Sequence, residues 1–513
     1  DYATDGLVKK VYKTTTDGWI DVYMTRKFTG TTITQKSTTY DITPRFEMYT
    51  SDFKDKTGTF DFDIKDVMII DNTGYNIVQS TNTAYMYRLG NGTITAQYTT
   101  NSINLETPTR TGYTFDGWYK EAACTNKVGD AGAEYTPISN ITLYAKWKQN
   151  NYEEVTSSGA HVNYYVSLAS AMANVTSGNT IKALNNMTET VSSTVTASKT
   201  VTFNLNGKTV TLNSSSLTNN GKLTITGTGT LTGTSGYTIR NIGTLTKMGT
   251  SSIKNEGTSQ TTVIVNEGTA TISAGTIDGS YKGIETKGTG TLTISEATVT
   301  AKNYAVYSQG TANTTTAPAV KIVSGTIEST AAVSVYNNAA GLIYATGGTI
   351  KQQGSNSVIA NNSTGTIQLS GATVEKSSGT GGYAAIYNIS TGTIKVTSGN
   401  INNSVSRAIY NKGAGTINVT GGTISGIVGI YDVEGSISVT SGTINATNGV
   451  GIRVGTGTAT ISGSSTKITG TTYGVDATTG TTTIKAGTIE ATEGIGVQVA
   501  GGTLTIGTNE TTP

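Results

Sequence analysis

Ala408-Ile409-Tyr410-Asn411-Lys412-Gly413-Ala414-Gly415-Thr416-Ile417-Asn418-Val419-Thr420-Gly421-Gly422-Thr423-Ile424 contains three short strand phrases separated by glycine-rich turns. Alternation along each phrase places Ile409, Ile417, Val419 and Ile424 inward and Tyr410, Thr416, Asn418 and Thr423 outward. The phrase ending in Gly-Thr-Ile recurs with its isoleucine or valine at Ile277, Val299, Ile327, Ile350, Val374, Ile401, Ile424, Ile444, Ile468 and Ile489. Most steps are 20 to 24 residues, and the steps of 28 and 27 before Ile327 and Ile401 imply extra residues in a turn. A period of that length with three strands per repeat is a parallel β-helix, each coil burying its apolar face against the next. At about 4.8 Å per coil, some fourteen coils make a rod on the order of 65 Å long.

Composition agrees with this reading. The chain has 513 residues, of which 13% are charged and 63 are glycine, so uncharged hydroxyl and amide groups make its surface, as in secreted β-rich proteins. Thirty-five basic against thirty-three acidic residues, with no basic cluster, exclude nucleic acid and anionic lipid as partners on electrostatic grounds. The single cysteine, Cys124, and single histidine, His161, leave no material for a disulfide or a thiolate or histidine metal centre, so no cofactor or metal is expected. No apolar run is long enough for a membrane helix, so membrane insertion is not expected. The last residues, Thr512-Pro513, interrupt the repeated phrase, which suggests a fragment of a longer rod.

Three regions follow. Residues 1–83 alternate with period two at 7–12, 19–24, 45–49, 60–64 and 67–70, which predicts an antiparallel sandwich. This region is similar to the immunoglobulin-like modules of Gram-positive surface proteins. That resemblance implies a Lys–Asn isopeptide bond, for which Lys9 is the lysine candidate, Asn72 or Asn76 the acceptor, and Glu47 or Asp61 the catalytic carboxylate. Residues 84–150 carry Pro108-Thr109-Arg110-Thr111-Gly112-Tyr113-Thr114-Phe115-Asp116-Gly117-Trp118-Tyr119 and Ile141-Thr142-Leu143-Tyr144-Ala145-Lys146-Trp147. These motifs resemble the Listeria–Bacteroides repeat, the internalin B-type repeat of bacterial surface proteins, and imply a small β-grasp-like module. Its core is expected from Tyr113, Phe115, Trp118 and Trp147.

Residues 151–513 form the β-helix. Tyr165, Leu168, Ala169 and Met172 fall on one helical face within 164–175, predicting an N-terminal capping helix that shields the first coil. Thr180-Ile181-Lys182-Ala183-Leu184 and Asn204-Leu205-Asn206-Gly207-Lys208-Thr209 resemble the opening of right-handed parallel β-helices of the pectate-lyase-like group, without an active-site motif.

Outward tyrosines Tyr307, Tyr336, Tyr387, Tyr410 and Tyr431, with Ile359 in the interrupting coil, form a stripe suited either to ligand contact or to stacking on itself. In the following coils the stripe gives way to Arg453 and Asp476, an expected ion pair. Asn337, Asn361, Asn388, Asn411 and Asp432 are expected inward, satisfying turn backbone groups. An outward threonine ladder at Thr276, Thr326, Thr349, Thr373, Thr423, Thr443 and Thr488 is too roughened by Lys321, Gln368, Lys395 and Asn418 for ice binding. Enzymatic cleavage of polysaccharide needs paired carboxylates or bound calcium. Asp432, Glu434, Arg453 and Asp476 are the best local constellation, without an Asp-Asp pair or a catalytic-type His, so the chain is not expected to be an enzyme. The reading is an extracellular bacterial cell-surface or cell-wall protein, resembling Gram-positive adhesins, that holds a glycan or surface protein along the rod. A self-associating stalk or fibre is the alternative, and a polysaccharide lyase or glycoside hydrolase the third.

Overall fold

A computed structural model describes residues 102–110, 112–137 and 141–507, together with the backbone of six strands between 32 and 96. The chain divides into two compact units, Asp1–Lys148 and Gln149–Pro513.

In the first unit Thr32–Gln35 pairs antiparallel with Thr38–Asp41, and Met68–Asp71 with Asn76–Ser80. Met68–Asp71 falls on the strand expected at 67–70, whereas the hairpin at 32–41 was not expected. The segments 7–12, 19–24, 45–49 and 60–64, with Lys9, Glu47, Asp61 and Asn72, lie outside the described residues. Asn76 opens a strand, and its side chain is likewise outside them.

The same unit contains a five-stranded sheet of Tyr85–Tyr87, Thr93–Ala96, Ile141–Gln149, Tyr113–Tyr119 and Lys127–Gly129, in that spatial order. No helix occurs among the described residues of this sheet's segment. Trp118, fully buried, packs with Leu105, Leu143 and Ala145, and Phe115 meets Trp118 and Trp147 edge-on at 5.3 and 5.5 Å. The Trp118 indole N–H donates to the Glu106 carbonyl at 2.9 Å, so burying the ring leaves no orphaned donor there. Tyr113 departs from expectation: it lies outside this core, half-buried, with the Arg110 guanidinium 3.8 Å from its ring centroid.

The second unit is a parallel β-solenoid of about 14 turns. From Thr180–Ala183 to Leu342–Ala345 each strand pairs in parallel with the strand three further along the chain, so a coil consists of three strands and two successive coils share three ladders; between 366 and 446 strands of one coil run together and the parallel ladders continue. All ten landmark residues from Ile277 to Ile489 stand in one ladder. Nine of them are at most 1% exposed, and Ile489 is half-buried. The glycine of the repeated phrase is required by the backbone. Gly422 has φ +83°, and a Cβ there would lie 2.8 Å from the Gly399 carbonyl oxygen of the preceding coil.

The start of the solenoid is closed. Tyr152–Val155 runs antiparallel to both His161–Tyr165 and Thr180–Ala183, and helix α1, Leu168–Asn174, buries Leu168, Ala171 and Met172. The helix is shorter than expected because Ser167, in an extended conformation, caps it by accepting from the Ser170 N–H at 3.2 Å. Tyr165 therefore belongs to a strand, and Ala171 rather than Ala169 is the buried alanine. Two carboxylates staple this cap. Glu154 accepts from the Tyr165 hydroxyl, the Thr176 N–H and Asn179, and Glu189 accepts from the Tyr152 hydroxyl and the Leu168 N–H.

Candidate ligand-binding face

Strand register places one outward column along the strand that carries Tyr410 and its counterparts in successive coils: Arg240, Val265, Glu285, Tyr307, Tyr336, Ala360, Tyr387, Tyr410, Tyr431, Arg453, Asp476 and Gln498. The five tyrosines expected in a stripe therefore share a column. The residue interrupting them is Ala360, not Ile359, which points inward and is fully buried. The asparagine that follows Tyr336, Tyr387 and Tyr410 fixes this register, since Asn361 pairs with Asn337 and Asn388 and leaves Ala360 in the tyrosine position.

The rings interact mainly with one another. Tyr307 and Tyr336 stack at 5.4 Å and 11°, Tyr387 and Tyr410 at 5.2 Å and 5°, and Tyr410 and Tyr431 at 5.2 Å and 20°. Tyr410 is thus covered by a ring on each side, and a sugar cannot lie flat on it. Tyr387 has Tyr410 on one side and the Ala360 rung on the other. Tyr304 meets Tyr307 and Tyr336 at 5.2 and 5.5 Å from the adjacent column. Cations flank both ring groups: Lys282 Nζ lies 4.3 Å from the Tyr307 centroid, and the Arg407 guanidinium 4.9 and 5.4 Å from Tyr410 and Tyr431. Burial raises the hydroxyl pKa of Tyr307, Tyr336, Tyr387 and Tyr410, so these rings stay neutral hydrogen-bonding groups.

Beside Tyr387 and Tyr410 the surface is recessed. Ser357, Gly382, Tyr383, Ala384, Tyr387 and Tyr410 line a cleft of about 250 Å³. Its rim comes from the turn between Lys376 and Ile386, one of the two long turns legible in the spacing, and the Arg407 Nη1 donates to the Gly382 carbonyl at 2.9 Å and holds that turn. Farther along, Arg453 Nε donates to Asp476 Oδ2 at 3.0 Å. Asp476 is only 5% exposed, so this pair is less of a surface contact than expected. Asp432 does not join it. It faces the interior, so the four charged residues weighed as a catalytic group do not converge. Among the described residues no group of three His, Cys, Asp or Glu could hold a metal ion, and no helix is long and apolar enough to cross a membrane.

Beneath the tyrosines, an inner ladder begins earlier than the sequence reading had it: Asn219, Asn241, Asn266, Thr286, Ser308, Asn337, Asn361, Asn388, Asn411 and Asp432. All are buried, and from Asn337 each amide donates to the next residue's oxygen at 3.0, 2.9, 2.7 and finally 2.5 Å, ending on Asp432. Asp432 Oδ2 has no hydrogen-bond partner among the described residues. Burial pushes this carboxyl up to about 6 despite the Asn411 and Gly435 N–H groups, which pull it down. Two buried lysines were also missed. Lys247 donates to the Gly249 and Ala274 carbonyls, and Lys376 to Gln352 Oε1 and the Gly354 and Ser378 carbonyls. Burial lowers both, Lys247 to about 8. The outward threonine ladder is interrupted by Asn400 and Lys467, which breaks any flat lattice. Cys124 sits in the first unit with its thiol pKa raised by burial, the opposite of an activated nucleophile.

Residues 82–146 match the family model of the Listeria-Bacteroides repeat domain. The match covers the five-stranded sheet as far as Lys146, including Trp118, and does not reach the solenoid. No curated protein and no solved structure matches the chain. The chain therefore joins a bacterial repeat domain of a kind typical of surface proteins to a β-solenoid.

Proposed function

We propose that this chain is part of an extracellular bacterial surface protein whose solenoid holds a glycan or protein ligand side-on, by non-covalent contact on the tyrosine face. The observation that carries this reading is the single column of five tyrosines, interrupted by Ala360, flanked by Lys282 and Arg407, and bordered by a recess at Tyr387 and Tyr410. Aromatic rings with nearby cations form contact surfaces at low entropic cost, and a repeated face offers many weak contacts rather than one deep pocket. The Listeria-Bacteroides repeat that precedes the solenoid in the sequence supports a surface location. An enzyme is disfavoured because Asp432 and the Arg453–Asp476 pair face different environments.

The test is a screen of the full chain against glycan arrays and host-matrix proteins, repeated with Tyr387→Ser. Binding that weakens in the variant supports the proposal, and the absence of any ligand, or turnover of a polysaccharide, overturns it. A stalk or fibre role finds support in the rings stacking on each other. Head-to-tail growth, however, has against it the first coil, whose strand edge is covered by Tyr152–Val155 and whose core is covered by α1.

A further inference from the structure

We propose that the recess lined by Ser357, Tyr383, Tyr387 and Tyr410 is a subsite for one pyranose ring of a glycan, an inference that rests on the side-on binding reading above. Three independent features point there. Tyr387 is stacked on only one side, because the neighbouring rung of its column is an alanine. Tyr383, in the long turn, lines the recess and is 42% exposed there, so its ring is accessible to a ligand. Ser357, three residues before Ala360 on the same coil, lines the recess, is 1% exposed, and its Oγ has no hydrogen-bond partner among the described residues. A buried hydroxyl without a partner costs free energy that a ligand hydroxyl would recover.

These features select the ligand. An aromatic or aliphatic side chain of a protein partner would fill the space but leave the Ser357 hydroxyl unpaired. A pyranose ring has C–H faces for Tyr383 and Tyr387 and hydroxyl groups at its edge for Ser357. The volume of about 250 Å³ lies below the roughly 300–1,000 Å³ of drug-sized sites, which limits the occupant to one ring, with the rest of the glycan outside. Arg407, tied to the Gly382 carbonyl and lying over Tyr410, keeps the rim in place and adds a cation that favours a sugar bearing a carboxylate.

The experiment measures binding of the full chain to neutral and uronic-acid glycans on an array, with affinities by calorimetry, for the native protein, Ser357→Ala and Tyr383→Ser. Ser357→Ala should weaken glycan binding about tenfold, or about 1.4 kcal/mol. Its thermal unfolding midpoint should not fall and should rise slightly, because the buried Oγ has no hydrogen-bond partner among the described residues and its removal relieves an unpaired polar group. Tyr383→Ser should weaken binding at least as much. Glycan binding left intact in both variants overturns the subsite while leaving side-on binding in place. Binding of a protein ligand but no glycan overturns the sugar assignment alone, and binding of neither removes the reading on which it rests.

Discussion

Replacing Asp432 by Asn tests the energetics of the inner ladder directly. Asp432 is fully buried, accepts from Asn411 at 2.5 Å, and leaves Oδ2 without a partner among the described residues. Its carboxyl is raised from 3.8 to about 6 by burial. With a folded value above the unfolded one, the carboxyl is fully accommodated below about pH 4, where both states carry the proton. As pH rises, the unfolded chain ionises first, and this part of the stability is lost through pH 6. A rise of roughly two units corresponds to about 3 kcal/mol at neutral pH. Asparagine has the same size, accepts the Asn411 bond and carries no charge. Asp432→Asn should therefore be more stable than the native chain by up to about 3 kcal/mol at pH 7 to 8, the difference closing as pH falls to about 4. Solenoid stability is a sum of coil and interface terms. The readout is accordingly local: hydrogen exchange of peptides spanning 409–454, supported by denaturant midpoints across the pH series. A difference that does not change with pH, or a variant less stable at pH 7, would refute the reasoning.

Lys247 has the opposite sign. Its folded value of about 8 lies below the ordinary 10.5, so stability should rise as pH goes from 8 to 10.5, and Lys247→Met should remove that slope in pH-dependent denaturation. Tyr410→Ala breaks two ring stacks and Tyr387→Ala one, so the first should cost about 1 kcal/mol more in chemical denaturation, equal losses counting against stacking as the main role. Gly422→Ala forces a side chain onto φ +83° and into the Gly399 carbonyl, and should lower stability by about 2 kcal/mol or more, seen as a lower unfolding midpoint. Glu154→Ala leaves the Tyr165 hydroxyl, the Thr176 N–H and Asn179 without their acceptor, and should expose the α1 region to faster hydrogen exchange before the later coils are affected.

What could be read in the sequence follows from how strongly neighbouring coils constrain each other. The isoleucine ladder was legible because a one-residue slip would turn every apolar side chain outward, so the period and the alternation determine the register together. The same logic was available for the inner asparagines. Asn219-Asn220-Gly221, Asn241-Ile242-Gly243 and Asn266-Glu267-Gly268 share an Asn-x-Gly phrase that marks the ladder's beginning. Counting from the asparagine rather than from the apolar residue would also have given Ala360 in place of Ile359. Lys247 and Lys376 were not legible, since an inward lysine looks like an outward one until the turn carbonyls that hold it are in place.

The tyrosine stripe shows most clearly why a column is not yet a site. Alternation establishes that five rings face outward on one side of the rod, and register that they share a column. Only the ring geometry shows that Tyr410 has both faces covered, so the residue at the centre of the three-ring stack is the least able to stack on a sugar. Binding capacity moves instead to the recess next to the stack. Alanine at 360 ends two stacks and leaves Tyr387 covered on one side, the long turn before Ile386 adds Tyr383 to the recess that Tyr387 and Tyr410 line, and Ser357 supplies a hydroxyl with no hydrogen-bond partner among the described residues. If the tyrosines served only to stiffen the rod, a ring at 360 would continue the ladder through this coil. Ala360→Tyr separates the two roles: it should restore continuous stacking and raise the unfolding midpoint while abolishing ligand binding, whereas retained binding would show that contact is made on the edges of the ladder and not at its break.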